Sequence, residues 1–235
     1  MHFLRFAPYD FDLVQEESMR GSRSAVLVAF VAAVLSSFSA APALGDEVMK
    51  RDPRAVSKSG IPYRPDNEQA GPPELVNAIR ARRGGKLLNL DRMLLHSPNF
   101  AKGWNAMFAA IRGQLSLKPK LRELAIMSIA VLNKADYEWA QHEGEFLTAG
   151  GTREQLAALK DSQRAEKNTK LFSDAERATL ALTREMTRDI VVSDATMKRI
   201  RGLLSDQEVV ELIGTISGYN MVSRFLIATG LELEQ

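Results

Sequence analysis

Residues 119–132, PKLRELAIMSIAVL, are apolar on nearly every side of a helix. Leu121, Leu124, Ile126, Ile129, Val131 and Leu132 leave no polar stripe to face water, so a helix of this kind is buried by its neighbours. It nonetheless carries Arg122 and Glu123. After a short break at Asn133 and Lys134, a second helix carries Tyr137, Glu138, Trp139 and His142 and ends at Gly150 and Gly151. Glu138 and His142 are four apart, so they lie on one helix face and can share a proton or a ligand. An active site is expected on this pair of helices.

The remaining pattern from Pro72 onward is also helical. Residues 73–83 form a first helix stopped by Gly84 and Gly85. Residues 87–95 form a short second one. Ser97 is placed to cap a third, with Pro98 in its first turn, and Trp104, Met107, Phe108 and Ile111 recur at helical spacing as far as about Gln114. Asn133 is a candidate cap for the helix that holds His142. Three capping boxes follow, Thr152 with Gln155, Ser173 with Glu176 and Ser205 with Glu208, where the first side chain bonds the third residue's N–H and the acid or amide reaches back. They predict helices over about 152–160, 173–188 and 205–229, with a shorter one near 194–203. Residues 160–170, KDSQRAEKNTK, read as a polar surface connector. No run alternates as a strand would, so the fold class is all-α, with one helical domain over residues 73–235.

Composition narrows the chemistry. The chain contains no cysteine, which excludes disulfides, thiolate nucleophiles and dithiol redox chemistry within it. The net charge is +2, and removing residues 1–43 takes away three arginines and four acidic residues. A surface so nearly balanced presents no electrostatic case for nucleic acid. Residues 1–43 have the order of a secretory signal peptide. Arg20 and Arg23 precede an apolar run at residues 25–35, and Ala41-Pro-Ala43 forms a small-x-small cleavage pattern. The natural start is then Met19, with residues 1–18 an upstream extension. The run is shorter than the roughly 20 residues of a membrane span, so the expectation is export, to a periplasm, with no stable span after cleavage. The competing reading is an uncleaved anchor. Residues 44–72 are rich in Pro, Gly and charge and read as an extended arm or linker, able to wrap a neighbouring subunit.

The central stretch, RELAI-x-S-IAVLN-KADYEWAQHE followed by LTAGGT, resembles the carboxymuconolactone decarboxylase family, which includes the AhpD-like alkyl hydroperoxidases. LLHSPNFAKGW upstream and VVELIGTISGYNMVSRFLIATGLELE downstream extend the resemblance over roughly residues 74–234. It implies an all-helical AhpD-like bundle assembled as a trimer or hexamer, with a small-molecule substrate and no cofactor or metal. The peroxidase branch of that family uses a Glu, a Cys-x-x-Cys pair and a His. Its spacing falls on Glu123, Ala135, Glu138 and His142, so both sulfurs are replaced. A mechanism that needs an attacking and a resolving thiol has no counterpart here, and the branch without cysteines, marked by YEWxxH, is the closer match.

The candidate catalytic residues are accordingly His142, Glu138 and Glu123. An imidazole titrates near neutral pH and can give and take a proton. Glu138, one turn earlier, can orient His142 or act as the acid. Glu123, costly to bury unpaired, is expected to pair with a base or with His142, or to have a raised pKa. The alternatives are a structural histidine and a solvated Glu138–His142 pair contributing about 0.2–0.5 kcal/mol. A metal on that helix face lacks a second histidine ligand. Tyr137, Trp139, Arg122, Asn220 and Arg224 are candidate substrate contacts, each with a packing or interface role as the competing reading, and His96 reads as structural. The function expected is a cofactor-free lyase of the lactone decarboxylase type acting on a small carboxylated lactone or oxo acid. The alternatives are a peroxide-related reductase, disfavoured without sulfur, and a non-catalytic helical oligomer that binds a small molecule. Since the family's namesake substrate belongs to cytoplasmic aromatic breakdown, an exported chain is expected to take another.

Overall fold

The computed structural model describes residues 56–234. Residues 1–43, with the expected signal peptide, and residues 44–55 of the arm lie outside the described residues. Among the described residues, a 3-10 turn at Glu68–Ala70 is followed by ten helices: α1 (Pro73–Arg82), α2 (Asn89–Leu94), α3 (Pro98–Gly113), α4 (Pro119–Asn133), α5 (Asp136–Thr148), α6 (Arg153–Leu159), α7 (Ser162–Lys167), α8 (Asp174–Arg188), α9 (Asp194–Arg201) and α10 (Asp206–Thr229). Among the described residues the only β pairing is one isolated antiparallel bridge, Val56 to Pro62. The fold is all-α, as the periodicity predicts.

α4 is the axis of the bundle, packed against α5, α8 and α10. Its all-round apolarity has a specific cause, because it serves two cores. Leu121, Ala125, Ile126 and Ile129 join the larger cluster with residues of α1, α3 and α10. Leu124 and Met127 point the other way, into a second cluster with Phe146, Leu156, Leu159, Phe172 and Leu180. Six of its large side chains (Leu121, Leu124, Ile126, Met127, Ile129, Leu132) are buried, a gross stabilisation of roughly 9–18 kcal/mol before entropy is counted. No helix among the described residues is long and apolar enough to cross a membrane.

All three capping boxes form, with Thr152, Ser173 and Ser205 each accepting from the N–H three residues on and Gln155, Glu176 and Glu208 reaching back. Three local expectations need correction. Ser97 occupies the cap position of α3, but its side chain makes no capping bond, and Pro98 in the first turn already removes one donor needing a partner. Asn133 does not cap α5. It is the last residue of α4, followed by Lys134 in the left-handed region (φ 56°), and its amide donates to Asn220 Oδ1 (3.0 Å) and Ser223 Oγ (2.7 Å). Residues 160–170 are not all connector, since they contain α7, capped by the Asp161 carboxylate and anchored by the buried Ala165. With one apolar anchor in six residues, this helix shows no periodicity, and only its Asp cap betrays it.

The described part of the arm packs on its own chain. Lys58 N–H donates to the Gly230 carbonyl, Arg92 Nε to the Arg64 carbonyl (2.5 Å), and His96 Nε2 lies 2.6 Å from the Pro62 carbonyl, a structural role. At Gly151 an added Cβ would lie 2.2 Å from the buried Phe146 ring, so the turn after α5 closes onto the second core only with glycine there.

Candidate active site

The site is assembled around Glu123, in the first third of α4. Only 1% of this residue is exposed. Arg122 Nε donates to Glu123 Oε1 at 3.0 Å and His142 Nδ1 stands 2.7 Å from Oε2. Each carboxylate oxygen therefore has one strong partner. Burial alone pushes the Glu123 carboxyl upward, but the bonds and charges of His142 and Arg122 more than reverse this and hold it below the usual carboxylate range. Burial pushes the His142 imidazole down, partly opposed by Glu123. The resulting state is an ionised Glu123 accepting from a neutral His142 through Nδ1–H. That assignment puts the lone pair on Nε2, which has no hydrogen-bond partner among the described residues. Arg122 is held in turn by donating Nη1 to the Arg112 carbonyl (3.0 Å).

Glu138 behaves in the opposite way. It is 2% exposed, and neither carboxyl oxygen has a hydrogen-bond partner. Burial drives its pKa well above the ordinary value, which favours the neutral carboxylic acid. The expectation that Glu138 orients His142 is corrected here. α4 brings Glu123 to Nδ1 first, and no Glu138–His142 bond forms.

Both groups border a narrow cleft of about 40 Å³. That is room for one to three waters, against the roughly 300 Å³ or more of a typical ligand pocket. α5 contributes Tyr137, Glu138, Gln141 and His142, which its 3.6-residue turn places on one face. Apolar walls come from Leu88, Leu90, Trp104, Phe108, Val222 and Leu226. Tyr219 of α10 meets the His142 ring edge to face at 5.1 Å, its phenol raised by burial. Three guanidiniums complete the lining, Arg82, Arg83 and Arg112. Arg83 pairs with the buried Asp91 (3.0 Å), Arg82 donates Nε to Asn105 (2.6 Å), and Arg112 pairs with Glu145 (3.1 Å). Burial, and then repulsion from Arg83, pushes Arg82 down to about 10, so Arg82 remains cationic at neutral pH.

Of the residues singled out in the sequence, Tyr137, Glu138 and His142 line the cleft and Glu123 supports it from beneath. The others lie elsewhere. Arg122 holds Glu123 rather than facing the cavity. Trp139 packs at the edge of the second core with the Lys160 ammonium 3.4 Å from its ring centroid. Asn220 is buried between Asn133, Thr187 and the Ile216 carbonyl, and Arg224 bonds back to Asn220. The cleft-facing residues of α10 are Tyr219, Val222 and Leu226, and a single step along a helix turns the side chain by about 100°. No local spacing in the sequence announces the arginine wall or Tyr219.

Residues 98–185 match the carboxymuconolactone decarboxylase family. This span runs from α3 into α8 and contains Glu123, Glu138 and His142. No curated protein matches significantly in sequence. Solved structures do. The AhpD core of an uncharacterized peroxidase-related protein from Ralstonia eutropha JMP134 superposes with a TM-score of 0.61, 15% identity and coverage of 72% of this chain and 90% of that one. The fold is AhpD-like. A debrominase, Bmp8, in complex with 2,3,4-tribromopyrrole gives 0.60, 17%, 73% and 90%, and an uncharacterized peroxidase-related protein from Silicibacter sp. TM1040 gives 0.58, 17%, 67% and 82%. These likenesses fix the AhpD-like architecture, and with the sequence match they support the carboxymuconolactone decarboxylase family.

Proposed function

We propose that this chain is an acid–base enzyme of the cysteine-free branch of that family, acting on a small carboxylated lactone or oxo acid. One observation carries the reading. Beside the same cleft, burial shifts two titratable groups on one face of α5 in opposite directions, His142 toward the free base and Glu138 toward the neutral acid. Environments that separate proton affinities in this way are how a site assigns a base and an acid. Thiol-dependent peroxide chemistry is not favoured, because Ala135 and Glu138 stand where that mechanism needs sulfur.

The chemistry follows from the proton states. The Arg82, Arg83 and Arg112 wall attracts an anionic substrate. Loss of CO₂ from a carboxylate conjugated with a carbonyl leaves the bonding pair on the organic fragment as an enolate. The Glu138 carboxyl donates its proton to that fragment and becomes a carboxylate. It recovers a proton from solvent, with His142 Nε2 as the adjacent acceptor and relay. Glu123 fixes the imidazole's tautomer and stabilises the imidazolium whenever it forms. Export of the mature chain after removal of residues 1–43, a helical domain over residues 73–235 and assembly as a homo-oligomer belong to the same proposal.

The test is CO₂ release from γ-carboxylactones and β-oxo acids by the purified protein. Glu138→Gln and His142→Ala are each expected to lower kcat about 100-fold or more, with helix content and oligomeric state unchanged. Turnover that survives both substitutions would place the chemistry elsewhere, and a wild type inert on the whole panel would favour a binding protein.

A further inference from the structure

The segment that follows α10 does not run off into solvent. Residues 231–234 turn back across the rim of the cleft, and the Glu234 carboxylate is gripped there by three donors. The Tyr137 hydroxyl donates to Oε1 at 2.7 Å, the Gln141 amide to Oε2 at 2.8 Å, and the Asn89 backbone N–H to Oε1 at 2.6 Å. Tyr137 and Gln141 line the cleft on the α5 side, and Leu88 and Leu90, on either side of Asn89, line it opposite. Glu234 therefore ties the two walls of the cleft together at its mouth. The rest of the segment is held by scattered contacts, with Leu231 packed against the larger core and the Lys58 ammonium 3.7 Å from the Glu232 carboxylate. The Asn89 amide donates to the Glu232 carbonyl (3.0 Å), the Glu232 N–H donates to the Tyr63 hydroxyl (3.2 Å), and Leu233 is 47% exposed.

We propose that the Tyr137 hydroxyl, the Gln141 amide and the Asn89 N–H form a carboxylate-binding site at the cleft mouth, with Glu234 as its resident occupant, and that a ligand's carboxylate enters by replacing Glu234 and releasing residues 231–234. The assignment rests on the cleft being the functional site. Three facts join in it. The trio is complementary to a carboxylate, with two donors on one oxygen and one on the other. The guanidiniums of the lining are already engaged by Asp91, Asn105 and Glu145, whereas the trio's donors are engaged by an exposed side chain. Finally, a free space of about 40 Å³ admits no organic acid until the walls are untied. A ligand carboxylate bound to the trio stands on the helix face that carries Glu138 and His142. Burial, the larger cause of the raised Tyr137 phenol, keeps it a donor after Glu234 leaves.

An intramolecular occupant lowers the apparent affinity for any competing carboxylate in proportion to the time it spends bound. The probe is benzoate, with neutral benzamide as control, titrated calorimetrically into the full chain, into Glu234→Ala and into a chain ending at Gly230. Both variants are expected to bind benzoate at least tenfold more tightly than the wild type, and Tyr137→Phe in the Glu234→Ala background is expected to erase the gain. Benzamide should show no such change. In parallel, carbethoxylation of His142 by diethyl pyrocarbonate, mapped by peptide mass, should quicken severalfold in both variants. The Glu234→Ala variant keeps the whole segment and guards against a truncation that fails to fold. Equal benzoate affinity in wild type and variants, a gain shared by benzamide, or no benzoate binding in any of them would overturn the proposal. None of these readouts involves turnover, so loss of the acid–base reading through Glu138→Gln and His142→Ala is a separate result.

Discussion

Replacing Glu138 by Gln should change the pH dependence of stability in a way that no ordinary surface carboxylate can. In the unfolded chain this carboxyl ionises near the normal glutamate value. In the folded chain burial, with no hydrogen-bond partner, raises it well above that value. Between the two, the unfolded state has released a proton that the native state keeps. Raising pH through that window therefore favours unfolding, at about 1.4 kcal/mol per pH unit. The loss begins as pH rises above the unfolded value and ends above the folded one. Glutamine cannot ionise, so the variant lacks this slope while sharing every other titration in the molecule. An unpaired buried amide adds a penalty of about 1–3 kcal/mol, but that penalty does not change with pH. The observable is the difference in unfolding free energy, wild type minus Glu138→Gln, from urea titrations followed by circular dichroism at pH 5, 6 and 7. It should fall as pH rises, by up to about 1.4 kcal/mol per unit while pH lies between the unfolded and folded values, whereas the amide penalty is a constant offset. Parallel stability curves would mean that Glu138 is ionised in the native protein, and the separation of proton states on which the acid–base reading stands would be gone.

Two further outcomes follow from the same geometry. Glu123→Gln leaves Arg122 with a buried charge and removes the anion beside His142. Stability should drop by about 3 kcal/mol, and the His142 imidazole, tracked by NMR titration, should move further below its normal range because the Glu123 charge no longer opposes burial. Two glycines of the same region should respond oppositely to alanine. Gly151→Ala drives a methyl into the Phe146 ring and should cost about 1–3 kcal/mol, while Gly144→Ala, in the middle of α5 with open space around it, should gain about 0.5–1 kcal/mol, both read from urea midpoints.

Much of this molecule was determined by local sequence. The burial of α4 follows from its composition alone, because a helix without a polar stripe has only one low-energy environment. The starts of α6, α8 and α10 follow from capping boxes, which satisfy donors within four residues and need no tertiary partner. That Glu123 and His142 share a site was legible only through the family's spacing; nothing within α4 or α5 says that their side chains meet. What the tertiary structure alone decided is the proton inventory and its boundary. Glu138 is four residues from His142 in every helix that could form, yet whether it is a solvated anion or a neutral acid depends on what covers it. That cover comes from helices distant in the chain, as do Arg82, Arg83, Arg112 and Tyr219. Asn220 and Arg224 have the same four-residue spacing as Glu138 and His142 and face away from the cleft, because azimuth on a helix is set by packing and not by spacing. The same holds for Glu234. Its carboxylate meets Tyr137 across 97 residues of chain, and only the folded bundle brings together an acid and three donors that in sequence look like unrelated surface groups.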